Sequence, residues 1–150
     1  MKRILNQFVT VSLILGLVVT VSCSSDDSGS TNSQNIEAVI ATAQSGSWRI
    51  TSYVEDGVDE TSDFSGYAFT FNSDGSLTAV NGAITVNGTW SVDNDDSSND
   101  IDFNIFFASP PDFEELTEDW DIVSRSNSRI QLRDVSGGDG SVDTLVFEKL

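Results

Sequence analysis

From Gly46 onward, apolar residues recur at every second position, in eight short runs separated by turn-forming residues. A period of two is the mark of a strand, whose successive side chains point to opposite faces. In WRITSYV, Trp48, Ile50, Ser52 and Val54 alternate against Arg49, Thr51 and Tyr53. GYAFTF sets Tyr67, Phe69 and Phe71 on one face, and ITVNGTWSV aligns Ile84, Val86, Trp90 and Val92. DIDFNIFF alternates Ile101, Phe103, Ile105 and Phe107 against Asp102, Asn104 and Phe106. The pattern predicts strands at 47–55, 66–72, 76–81, 84–92, 100–108, 119–125, 128–134 and 143–149. NSDG (72–75) and Asn81-Gly82 supply tight turns between them. Each connection suits a hairpin or a modest loop, and none is long enough for a crossover helix. The expected fold is therefore all-β: an eight-stranded antiparallel up-and-down barrel, because closure removes exposed edges. A Greek-key sandwich is the alternative and would pair some strands out of sequence order.

A short N-terminal helix precedes the strands. In NIEAVIATAQSG (35–46), Ile36, Val39, Ile40 and Ala43 fall at i, i+3, i+4 and i+7, with Asn35 placed to cap the start and Gly46 the end. The loop SPPDFEELTED (109–119) suits a helical turn, with Asp112 and Glu115 in capping-box spacing. Residues 35–150 make one domain with one core.

The other end of the chain speaks to location. Lys2 and Arg3 form a basic head, and Phe8 to Val21 is apolar apart from Thr10, Ser12, Gly16 and Thr20. That is the layout of a secretory signal; a spanning helix would need about 20 apolar residues. Ser22-Cys23 follows, with Thr20 where an aliphatic residue is usual, and the segment resembles a bacterial lipobox. The resemblance implies cleavage after residue 22 and a lipid on Cys23, the only cysteine of the chain. Residues 23–34 carry Ser, Asp, Gly, Thr, Asn and Gln after the cysteine, which gives a tether with nothing to build a core. The acidic pair Asp26-Asp27 resembles the surface-export signal of Bacteroidota-type lipoproteins. The expected location is the outer membrane, displayed on the cell surface; the alternative is an anchor facing the periplasm.

Charge and absences narrow the function. Removing residues 1–22 takes two of the seven basic residues and none of the 24 acids, leaving a formal charge of about −19. Such a surface repels nucleic acid, so no nucleic-acid partner is expected. There is no histidine, which excludes His-based triads, proton shuttles and metal sites. No arrangement of the remaining groups points to chemistry, so the chain reads as a non-enzyme with no cofactor and no metal. VDNDDSSNDID (92–102) is rich in carboxylates but misses the Gly and Glu of a calcium loop, with Ser98 and Asn104 in those places. It reads instead as the solvent face of strands and a loop. Glu114, Glu115, Glu118 and Asp119 read as the charged face of a short helix rather than a glycosidase pair. Asp143-Thr144-Leu145 resembles a bacterial O-glycosylation motif but falls inside a predicted strand.

Gly46-Ser47-Trp48 opens the first strand directly after the helix, as the G-x-W motif does in lipocalins. With GYAFTFNSDG (66–75), Gly88-Thr89-Trp90, the Trp120 strand and the final LVFEK (145–149), residues 45–150 resemble the lipocalin-like domain of Bacteroidota-type lipoproteins, a family largely of unknown function. The resemblance implies a lipocalin-like barrel and also a basic residue over the first tryptophan. Lys149 ends the inward row of the last strand and is expected against Trp48 within about 6 Å. Trp48, Tyr67, Trp90, Phe103 and Trp120 share the inward phase and are the candidate ligand-binding residues. So many inward aromatics also predict a mostly filled barrel. Two roles fit: an anchored module holding a small apolar ligand at the barrel mouth, or a structural or adhesive module that contacts a protein or glycan with its outer surface.

Overall fold

The computed structural model describes residues 28–94, 100–135, 138 and 140–150. Nine strands follow one another: β1 (Ser47–Glu55), β2 (Val58–Asp59), β3 (Ala68–Phe71), β4 (Ser76–Asn81), β5 (Ile84–Asn94), β6 (Ile101–Phe106), β7 (Glu118–Ser126), β8 (Arg129–Val135) and β9 (Val142–Lys149). Their order is β2-β1-β3-β4-β5-β6-β7-β8-β9, and β1 also pairs with β9. The result is a closed eight-stranded antiparallel barrel carrying one extra two-residue strand. The closing pair sets Trp48 opposite Lys149 and Ile50 opposite Phe147. Backbone bonds from Leu150 N–H to Ser47 O and from Lys149 N–H to Ser128 O, each 3.0 Å, hold the last residues in place.

The extra strand β2 arises from Asp56-Gly57. Both residues lie in the left-handed region, at φ 48° and 80°. Two consecutive positive φ angles give the tight turn whose twist matches a hairpin, and Glu55 accordingly faces Val58.

Two β-bulges depart from simple alternation. In β1 the register against β9 shifts between Ile50 and Ser52. One additional residue reverses the phase beyond it. Tyr53, expected on the outer face, is therefore buried, while Ser52 and Val54 lie only half-buried. In β7 a similar shift between Ile122 and Ser124 sets Arg125 opposite Ile130. The Arg125 guanidinium donates to Ala38 O at 3.2 Å and to Thr42 Oγ1 at 3.0 Å on the N-terminal helix.

That helix, α1 (Ser28–Ala43), begins seven residues before the expected Asn35 cap and takes in part of the segment expected as a tether. Once packed turns exist, each added residue gains a backbone bond at little nucleation cost. Its stripe is the predicted one: Val39 and Ala43 are buried, and Ile36 and Ile40 pack against the core. The helix covers the barrel end where β1 starts and β7 and β9 finish, which we call the lower end.

The upper end is closed by loop residues. The 3-10 turn Thr61–Phe64 and the short helix α2 (Pro111–Glu114) bury Phe64 and Phe113. The expected capping box of Asp112 and Glu115 does not form. Pro110 takes the cap position and Pro111 starts the helix, where its fixed φ suits the first turn and its missing N–H costs nothing.

Between these covers the barrel is filled. Phe71 packs edge-on against Trp90, Phe103 and Phe147 at 5.2–5.4 Å between ring centres. Phe69 joins Phe147 to Phe113, and Phe113 meets Phe64, Tyr67 and Phe107. The rings thus form one connected chain along the barrel.

Candidate functional site

The five candidate ligand-binding residues do not line a common cavity. Trp48, Phe103 and Trp120 are wholly buried and Trp90 nearly so, while Tyr67 is half-buried at the upper rim. Each indole N–H donates to a backbone carbonyl. Trp48 bonds Ala43 O at 2.8 Å, Trp90 bonds Asn72 O at 3.0 Å, and Trp120 bonds Leu116 O at 3.1 Å. The three acceptors belong to α1, to the β3–β4 turn and to the segment after α2. Trp48 and Trp120 therefore fasten the barrel's covers to its wall, Trp90 fastens the β3–β4 turn, and none presents a free donor to a ligand.

Lys149 stands where the closing pair predicts. Its Nζ lies 5.9 Å from the centre of the Trp48 ring and donates to Ser45 Oγ at 3.0 Å. An ammonium at that distance from an indole face is within range of a cation–π contact. The glycine before the motif's middle residue has a spatial reason: a Cβ on Gly46 would sit 2.8 Å from Lys149 Cε.

Concave surface is found outside the barrel. A groove of about 420 Å³ on the outer face of β5, β6 and β7 is lined by Thr89, Ser91, Asn104, Phe106 and Asp119 among others. Phe106 is 53% exposed there. The Asn104 side-chain amide donates to Ser91 Oγ and to Asp93 Oδ1 at 3.1 and 3.2 Å, which fixes the polar floor. A second groove of about 380 Å³ runs between α1 and the lower rim, with Asp121, Arg125 and Arg133 in its wall. Arg133 is paired with Asp121 at 3.2 Å.

Of the acidic stretch 92–102, residues 95–99 lie outside the described residues, as do Cys23 and the signal segment. Asp93 and Asp102 face each other across β5 and β6 on the outer side, where the alternation places them.

A different acidic group comes together at the upper end. Carboxylate oxygens of Glu55, Glu60 and Glu115 lie within 4.8 Å of one another. Glu55 ends β1, Glu60 precedes the 3-10 turn, and Glu115 follows α2. Tyr53 Oη stands 2.9 Å from both Glu55 Oε2 and the Glu115 carbonyl oxygen. Burial, then the Glu55 hydrogen bond and the surrounding carboxylates, push the phenol far above its usual range. Burial also raises the Glu55 carboxyl, helped by the charges of Glu60, Asp143 and Asp56 and opposed by the Tyr53 hydroxyl. Glu115 is pushed up to about 7 by desolvation, by the close Glu60 carboxyl and by the charges of Glu55 and Asp112. Tyr53, Glu55 and Glu60 were not singled out by the sequence pattern. The Asp56-Gly57 dipeptide was the available signal, since a tight turn there folds Glu60 back so that its N–H bonds Tyr53 O at 3.0 Å.

No family model and no curated protein matches the chain. Among solved structures, it is similar to a DUF4847 family protein from Bacteroides vulgatus, with 17% identity and a TM-score of 0.49 over 75% of this chain and 97% of that one.

Proposed function

We propose that the chain is a lipid-anchored, non-catalytic surface module whose filled, lipocalin-like barrel meets a protein or glycan partner through its outer face. The observation that carries this reading is the closed interior. The aromatic chain occupies the barrel, and all three indole N–H groups are engaged by backbone carbonyls, two of them in the covers. A small apolar ligand at a barrel mouth would have to displace Phe64 and Phe113 above or α1 below. The outer groove offers the exposed Phe106 ring beside hydroxyl, amide and carboxylate groups. An aromatic face with flanking hydrogen-bonding groups suits a partner that is apolar on one side and polar at its edges. The high negative charge directs the choice toward neutral or cationic partners.

Anchoring rests on the basic head, the apolar run and Cys23. In this reading the lipidated cysteine holds the domain to the outer membrane, with the acidic tether directing it to the cell surface. Several acyl chains on one cysteine hold firmly where one would not. Cys23→Ala is expected to abolish incorporation of labelled palmitate and to leave the chain soluble or uncleaved. Persistent labelling of that variant would remove the anchor from the proposal.

Native mass spectrometry of the protein purified from its own host tests the closed barrel. The expected mass is that of polypeptide and lipid anchor alone. A retained small molecule, released only on unfolding, would replace this reading with that of an apolar-ligand carrier.

A further inference from the structure

We propose that one proton, held between the carboxyls of Glu115 and Glu60, clasps the 107–117 segment onto the upper end of the barrel, and that losing it as pH rises loosens that segment. The inference is independent of the partner assigned to the outer face. It begins from a count of donors. Glu60 Oε2 is enclosed, with less than 1 Å² of accessible surface, and no hydrogen-bond donor among the described residues reaches it. An enclosed carboxylate oxygen without a donor is costly. The Tyr53 hydroxyl has one proton and already serves Glu55 and the Glu115 carbonyl.

No cation among the described residues meets the deficit. Outside residues 1–22 there are five basic residues. Arg49 and Arg129 pair with Glu148 at 3.6 and 3.8 Å, Arg133 pairs with Asp121, Arg125 holds α1, and Lys149 sits at Ser45 and Trp48. The groups facing the cluster are acids: Asp56 in the β1–β2 turn, Asp112 on α2, Glu118 on β7 and Asp143 on β9. Three carboxylates within 4.8 Å, with further acids around them, favour a proton on one of them, and Glu115, the exposed member, is the one pushed up to about 7. A proton on Glu115 donated to the enclosed Glu60 oxygen removes one charge and satisfies the orphan at once.

The geometry gives that proton a mechanical role. Glu60 belongs to the β1–3-10 side, and Glu115 to the segment that carries Phe113 and Leu116 into the barrel end. The segment is also tied to the barrel by the bonds Tyr53 Oη to Glu115 O and Trp120 Nε1 to Leu116 O, and two bonds between Thr117 Oγ1 and the Phe107 backbone join its own ends. Ionisation would set Glu115 against Glu60, Glu55 and Asp112 across the seam. The raised folded value means that the clasped state binds more protons than the released one between the ordinary 4.5 and about 7. The clasp is thus complete below the ordinary carboxylate range and is lost as pH rises through about 7.

Hydrogen exchange of the full chain, read by mass spectrometry and corrected for the intrinsic pH dependence, tests this. Between about pH 5 and about pH 8, protection of amides 113–117 is expected to fall about tenfold, while that of the β4–β5 hairpin holds. Glu60→Gln places a permanent amide donor beside Glu115 and is expected to keep protection level across that range. Glu115→Gln, which carries its own donor, should do the same and covers the case in which the first variant folds poorly. A flat wild-type profile, or a fall that persists in both variants, overturns the clasp. Restoration of wild-type protection at about pH 8 by millimolar calcium would assign the enclosed oxygen to a metal ion and equally overturn it.

Discussion

Phe71→Ala is expected to lower the unfolding free energy by about 3–5 kcal/mol, the range for deleting a buried phenyl ring that its surroundings cannot refill. The residue is 2% exposed. Its ring touches rings from three other strands: Trp90 on β5, Phe103 on β6 and Phe147 on β9. Each is an edge-on contact, the arrangement in which the positive rim of one ring meets the negative face of another. Removing Phe71 leaves a void that rigid aromatic neighbours, held by strands closed into a barrel, cannot collapse to fill. A single domain is commonly stable by about 5–15 kcal/mol, so the loss is a large share of the whole. Urea unfolding followed by tryptophan fluorescence measures it. Phe106→Ala is the matched control, since its ring is exposed and its loss should stay within about 0.5 kcal/mol. Equal losses for the two variants would contradict the filled interior.

The second large effect is expected at Gly88. A Cβ there would run into the Phe106 carbonyl oxygen and stand 2.6 Å from Phe107 Cδ1. The obstacle is the backbone of the neighbouring strand β6 and the buried ring of Phe107 just past it, not the end of a mobile side chain. Gly88→Ala is therefore expected to destabilise by about 1–3 kcal/mol through overpacking, although alanine ordinarily suits a strand better than glycine. Gly46→Ala provides the contrast. Its Cβ meets Lys149 Cε at 2.8 Å, and that flexible chain can swing aside at the loss of the indole contact, about 0.5–1 kcal/mol at an exposed site. If Gly88→Ala proved as mild as Gly46→Ala, the close approach of β5 and β6 at this point would be wrong.

Both effects bear on function through the same feature. A barrel filled with interlocking rings has little room for cargo, and its tryptophans act as fasteners. In the proposed reading the surface that meets a partner is the outer one, where Phe106 and its polar neighbours line a groove.

The eight runs of alternating residues set the strands and favoured the barrel by themselves, and the β1–β9 pairing decided against the sandwich. Side-chain period is a local property, and short turns leave antiparallel neighbours as the only economical pairing. That is why β4 occupies 76–81 as read, and why β1 and β9 close with Trp48 opposite Lys149. The stripe of α1 was legible for the same reason. What escaped the sequence depends on distance in space. A bulge adds one residue with no signature in composition, yet it turns Tyr53 from the outer face to the core. Phe64 and Phe113 lie in loops without period, and only the closed wall shows that they are its upper cover. Whether inward rings fill a barrel or surround a space is a matter of summed volumes, which no single strand reveals. Glu55 and Glu60 are near in sequence, but Glu115 joins them only because α2 folds over the barrel end. That fold brings a third carboxylate to the enclosed Glu60 oxygen, a juxtaposition that no local pattern encodes.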